Sequence, residues 1–130
     1  MASKTILILD DEPQLRTAAR RALEKAGFEV EDLASAVRGL ERLRADPPPA
    51  LVLLDVLMPE MDGWEFLAAL AKDPAAAKVP VVLCSATVDL EHSKLPAGID
   101  VAGKIDKPFT SVTLVDAVKR ALARDTANRF

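Results

Sequence analysis

The sequence predicts an α/β fold built on a parallel sheet. Five short apolar runs recur along the 130 residues, and segments of helical periodicity separate them. The first, third and fourth runs are apolar on both faces, the pattern of central strands covered by helices on each side. Strict alternation implies right-handed crossovers.

The expected strands, in order, are "TILIL" (Thr5 to Leu9), "EVEDL" (Glu29 to Leu33), "ALVLL" (Ala50 to Leu54), "VPVVLC" (Val79 to Cys84) and the weaker "VAGKI" (Val101 to Ile105). "EVEDL" alternates and belongs near an edge. The first helix is expected from Pro13 to Ala26, with Leu15, Ala19, Ala22, Leu23 and Ala26 on one face. Pro13 suits a first helical turn, and Gly27 suits the stop. Ser35 can cap a second helix carrying Leu40 and Leu43, which "DPPP" ends. Asp62 can cap a third, with Phe66, Leu67 and Leu70 inward. The last runs from about Thr110 to Arg124, with Val115, Val118 and Leu122 inward. Between the fourth and fifth strands, "TVDLEHSKLPAG" holds barely two helical turns before Pro96.

Composition narrows the function. Half of the residues are hydrophobic, enough for one buried core, and 130 residues fit one domain. The expected domain is 1–130, with a core of about 4–124 and a short tail at 125–130. A net charge of −3 argues against a dedicated nucleic-acid or membrane-surface binder. The single cysteine, Cys84, allows no internal disulfide and lies in an apolar run, which suits a reducing compartment. The apolar run near the start is too short for a signal peptide or a membrane span, so a soluble, cytoplasmic protein is expected.

In parallel α/β sheets, chemistry collects at the carboxyl ends of the strands. The first strand ends in Asp10 and Asp11, followed by Glu12. The third ends in Asp55, the fourth in Ser85, and the fifth leads into Lys107 within "DKPF". Three carboxylates, a hydroxyl and an ammonium thus meet at one edge. Like charges about 4 Å apart repel by roughly 4 kcal/mol at an effective dielectric near 20. Either the pKa values of such a group rise or a cation neutralises it, and an all-oxygen site with room for water suits Mg²⁺. With one histidine and a cysteine inside a strand, zinc is disfavoured. A carboxylate beside Mg²⁺, with a lysine and a hydroxyl near it, can accept a phosphoryl group. Capping by Asp10 or Asp11 would explain one carboxylate, not three. Cys84 reads as core, His92 as an exposed bystander, and Trp64 as packing beside the third helix.

The acidic pair Asp10-Asp11, "LLDVLMPEMDG" around Asp55, "CSA" with Ser85 and "KPF" from Lys107 occur in this order, each at an expected strand end. Together they resemble the receiver domain of two-component response regulators, over about Lys4 to Arg124. The resemblance implies a flavodoxin-like three-layer sandwich with sheet order 2-1-3-4-5 and helices on both faces. It implies Asp55 as phosphoacceptor. It implies Mg²⁺ held by Asp11, Asp55 and the backbone carbonyl of Leu57, with Asp10 acting mainly through water. Ser85 and Lys107 would bind the phosphoryl oxygens, and the Lys107–Pro108 bond would be cis. The implied donor is a sensor histidine kinase or phosphotransfer protein, and the output an unidentified protein target. A monomer or weak dimer is expected, with no catalysis beyond its own phosphorylation and dephosphorylation.

Two departures qualify the resemblance. Lys104 stands where the family carries an aromatic residue, and Gly98 to Lys107 is longer than usual. Lys104 is expected to stay in solvent, offering a charge to a partner, while the Ser85 to Asp89 loop reports phosphorylation. Two other functions compete: a phosphorylation-independent interaction domain, which the complete residue set argues against, and a Mg²⁺-dependent phosphatase. Haloacid-dehalogenase phosphatases need an acid two residues after the nucleophile, where this chain has Leu57.

Overall fold

The computed structural model describes residues 5–45, 47–55, 63–74, 76–85 and 101–127, with Trp64, Ser85 and 124–127 described by their backbone alone. The strands are β1 (Thr5–Leu9), β2 (Glu29–Leu33), β3 (Leu51–Asp55), β4 (Val81–Ser85) and β5 (Val101–Asp106). The helices among the described residues are α1 (Pro13–Lys25), α2 (Ala36–Arg44), α3 (Gly63–Ala71) and α4 (Ser111–Ala127), with a 3₁₀ turn at Ala76–Lys78. All five strands pair in parallel, in the order β2-β1-β3-β4-β5. The expected order and the flavodoxin-like architecture are those observed.

Period-two alternation along the strands divides the core into two layers. Leu7, Leu9, Val52, Leu54, Val81 and Leu83 pack with Ala36, Leu40 and Leu43 of α2 and Phe66, Leu67 and Leu70 of α3. Ile6, Ile8, Leu51, Leu53, Val82, Cys84 and Ile105 pack with Ala19 and Leu23 of α1 and Leu114, Val118 and Ala121 of α4. Each such aliphatic side chain contributes about 1.5–3 kcal/mol on burial, so the sheet is the stable frame on which the strand ends are held. Glycine sets one approach: a Cβ on Gly39 would lie 2.6 Å from Cδ1 of Leu9, so α2 crosses closely over the end of β1.

Local chemistry explains where the elements begin and end. Pro13 occupies the first turn of α1. At its other end, Phe28 N–H bonds Leu23 O (3.1 Å) and Gly27 N–H bonds Glu24 O (3.0 Å), with Gly27 at φ +99°. This closure needs a left-handed residue, which glycine supplies without strain. Ser35 caps α2 as expected, its Oγ accepting from Arg38 N–H. Thr110 caps α4 through Oγ1, which accepts from Thr113 N–H (3.1 Å).

Several boundaries differ from expectation. β3 starts at Leu51 because Ala50 N–H turns to Thr5 O (2.8 Å). β4 starts at Val81 because Val79 N–H bonds Ala76 O in the preceding turn, and Pro80 has no N–H to give. α4 continues three residues past Arg124, to Ala127. Its inner stripe centres on Leu114, Val118 and Ala121; Val115 and Leu122 are only partly buried. The expected cap Asp62, Trp64's packing, and "TVDLEHSKLPAG" with His92 lie outside the described residues or side chains.

Candidate functional site

The strand ends bring the acidic residues together as expected. Asp55 is the last residue of β3, paired in register with Cys84, and it is 4% exposed. Asp10 follows β1, its N–H bonded to Leu33 O (3.2 Å), and it is 2% exposed. Asp11 is half-buried beside it. One carboxylate oxygen from each of Asp10, Asp11 and Asp55 lies within 4.8 Å of the other two. At that separation each pair repels by about 3.5 kcal/mol at an effective dielectric near 20.

Neither Asp10 nor Asp11 caps α1. The N-cap is Glu12, with no side-chain cap bond. Asp10 Oδ1 instead accepts from Glu12 N–H (2.9 Å), which turns the chain into the helix and fixes the carboxylate. Its other oxygen accepts from Lys107 Nζ at 3.0 Å. That ammonium, 10% exposed, also lies 3.5 Å from Asp55 Oδ1 and 3.7 Å from Glu12 Oε1. Burial disfavours the charged lysine, yet the Asp10 hydrogen bond and the charges of Asp10, Asp55 and Glu12 outweigh it and raise its pKa above 10.5. Lys107 precedes Pro108 through a cis peptide bond, as the family resemblance implied.

With one ammonium among three carboxylates, the centre carries a formal charge of −2. Hard oxygen ligands and excess negative charge fit a divalent cation such as Mg²⁺. Beside this centre, the Cys84 side chain lies in the core, where burial pushes its thiol up to about 12. Ser85 ends β4 opposite Asp106, the residue before Lys107, so its backbone is at the same edge. Its side chain and the Leu57 carbonyl lie outside what is described.

The sequence reading missed the residues that brace Asp10. Arg16 Nη1 donates to the Asp10 carbonyl oxygen (2.7 Å), and its Nε to Asp32 Oδ2 on β2 (3.2 Å). Arg20 donates to the other oxygen of Asp32. An arginine six residues after Asp10, on a helix packed along a strand that carries Asp32 one residue before its end, was the available signal.

Lys104 is solvent-exposed and lies 3.8 Å from Asp106 Oδ1. The longer spacing before Lys107 is taken up in β5: Val81 pairs with Val101 but Val82 pairs with Gly103, leaving Ala102 as an extra residue.

The signature of the response regulator receiver domain matches residues 6–119. The chain is 36% identical over 126 residues to the C4-dicarboxylate transport transcriptional regulatory protein DctD of Pseudomonas aeruginosa, covering 93% of this chain and 26% of that protein. It is 34% identical to the phosphate regulon transcriptional regulatory protein PhoB of the same species, covering 95% and 54%. The chain thus spans between a quarter and about half of these relatives. Its fold superimposes on a CheY-like response regulator receiver domain protein from Methanospirillum hungatei with a TM-score of 0.81, at 30% identity, over 98% of this chain and 99% of that one. The chain belongs to the response regulator receiver domain family, the signalling domain of two-component systems.

Proposed function

We propose that Asp55 accepts a phosphoryl group from the phosphohistidine of a sensor histidine kinase or phosphotransfer protein, with Mg²⁺ bound at Asp10, Asp11 and Asp55. The observation that carries this is the position of Asp55. It is held rigidly at the end of β3, 3.5 Å from Lys107 and within 4.8 Å of two further carboxylates. A carboxylate oxygen of Asp55 attacks phosphorus, and the phosphorus–nitrogen bond to the donor imidazole breaks. The electron pair of that bond stays on the imidazole nitrogen, and the phosphoryl group becomes an acyl phosphate on Asp55. Lys107 supplies positive charge beside the transferring oxygens. Asp11, Asp55 and the Leu57 carbonyl would hold Mg²⁺, with Asp10 acting through water, and the ion would supply the remaining charge compensation. Ser85, at the end of the neighbouring strand, donates a hydrogen bond from its hydroxyl to a phosphoryl oxygen.

Residues 1–130 act as one receiver domain, in the cytoplasm, where sensor histidine kinases draw on ATP. The output is a changed affinity for a protein target. Among the described residues no helix is long and apolar enough to cross a membrane. The experiment is labelling with acetyl phosphate and Mg²⁺. The native chain is expected to take up one phosphoryl group and Asp55→Asn none. Uptake by Asp55→Asn at the native rate would refute the assignment.

A further inference from the structure

We infer that Arg16 is a positioning residue for the acidic centre, and that Asp32 acts through it. This rests on the Mg²⁺ reading above. Asp10 is the hinge between the sheet and the site. Its N–H is held by Leu33 O at the end of β2 (3.2 Å), and its carbonyl oxygen by Arg16 Nη1 (2.7 Å). That carbonyl belongs to the peptide group joining Asp10 to Asp11. Holding it fixes the plane of the peptide, and so the direction in which Asp11 leaves the strand. Arg16 is itself held by Asp32, whose second oxygen is occupied by Arg20. The pair is largely buried, with side chains 18% and 23% exposed. One planar guanidinium therefore ties three pieces together: α1, the end of β2, and the peptide that aims Asp11. A lysine's three donors all sit on one nitrogen, so it cannot reach the carbonyl and the carboxylate from two separate nitrogens as the planar guanidinium does.

The sign of the effect separates positioning from charge. Arg16 is a cation near a negative centre. If it acted only through charge, its removal would tighten Mg²⁺ binding. If it aims the ligands, its removal loosens the site, as outer partners of metal ligands usually do by tenfold or more. Global destabilisation would lower the melting temperature without changing the affinity of the folded protein.

The test is titration of the ¹⁵N-labelled full chain with Mg²⁺, read at the backbone amides of folded protein. Arg16→Met is expected to weaken Mg²⁺ roughly tenfold, and Arg16→Lys to recover only part of the loss. Asp32→Asn, the milder change, should weaken binding in the same direction. The double variant should be no weaker than Arg16→Met alone, because Asp32 works through Arg16. Lys107→Met is the charge control and should tighten Mg²⁺. Saturable binding in the native chain with unchanged or tighter binding in Arg16→Met and Asp32→Asn would overturn the positioning role alone. No saturable binding in the native chain would overturn the Mg²⁺ reading and the inference with it.

Discussion

Replacing Lys107 by methionine keeps the length of the side chain and removes its charge. Two carboxylates then lose their ammonium, Asp10 at 3.0 Å and Asp55 at 3.5 Å, and both are almost fully buried. At an effective dielectric near 20 these attractions are worth about 5.5 and 4.7 kcal/mol before desolvation is counted. Desolvating a lysine that is 10% exposed offsets much of that. The upward shift of its pKa shows which effect wins: the protonated, paired form is the favoured one. Breaking a buried pair on one side usually costs about 3–5 kcal/mol, and we take the lower end because the site edge is reachable by water. For a chain of this size, about 3 kcal/mol lowers the melting temperature by roughly 10 °C.

The same charge arithmetic couples the lysine to the metal. Removing one positive charge deepens the negative potential at the acidic centre, so tighter Mg²⁺ binding is the expected outcome in the variant. Binding to the folded state alone stabilises it by mass action. The deficit should therefore be largest in EDTA and shrink in millimolar Mg²⁺. Thermal melts followed by circular dichroism, with and without the metal, give all four values. Equal melting of the two proteins in EDTA would refute the argument, as would a Mg²⁺ gain no larger in the variant than in the native chain.

Two further outcomes follow from the core. Gly39→Ala gains about 1 kcal/mol of helix propensity but places a Cβ 2.6 Å from Leu9, which is fully buried and cannot swing away; overpacking of about 1–3 kcal/mol should win, and urea melts should show a net loss. Cys84 titrates near 9.0 when unfolded and near 12 when folded, so its contribution is fully present below pH 9.0 and falls by about 1.4 kcal/mol per pH unit above it. The raised Lys107 adds to the same fall only above 10.5, so the interval from 9.0 to 10.5 belongs to the thiol. Cys84→Ala should flatten stability across that interval, and an unchanged slope would contradict the burial argument.

The sheet was legible because its signal is physical and redundant. β1, β3 and β4 are buried on both faces, so their residues are apolar at odd and even positions alike, and little else tolerates that pattern. The acidic centre was legible because carboxylates stood at the ends of such runs. Boundaries were less legible, since they depend on single hydrogen bonds. Ala50 N–H bonds Thr5 O, a partner 45 positions distant, and nothing local announces it. The inner stripe of α4 was placed one residue late because Val115 and Leu122 are as apolar as Leu114 and Ala121, and only the packing against α1 and β5 chooses between them. The brace on Asp10 went unseen for a different reason. Neither Arg16 nor Asp32 belongs to a recognisable local motif, and their meeting follows from a register, Ile8 opposite Asp32, that no local pattern encodes.

Lys104 shows how one extra residue can redirect a strand. Without the additional Ala102, the side-chain alternation of β5 would be shifted by one across its whole outer half. Every position after the bulge would then point to the opposite face. As built, Ala102 and Ile105 pack in the layer of α1 and α4, a pairing of even and odd positions that only a bulge permits. Ile105 thereby faces the core beside Cys84, and Lys104 and Asp106 share the other face, 3.8 Å apart. An apolar residue in place of Lys104 could exchange between solvent and the interior at little cost. An ammonium cannot, because leaving water without a buried partner costs several kcal/mol. The edge strand therefore carries charge where it meets solvent, which also protects it from pairing with another chain. Any coupling of the acidic centre to this edge through position 104 has to work through charge and backbone, since a lysine stands there in place of the family's aromatic residue.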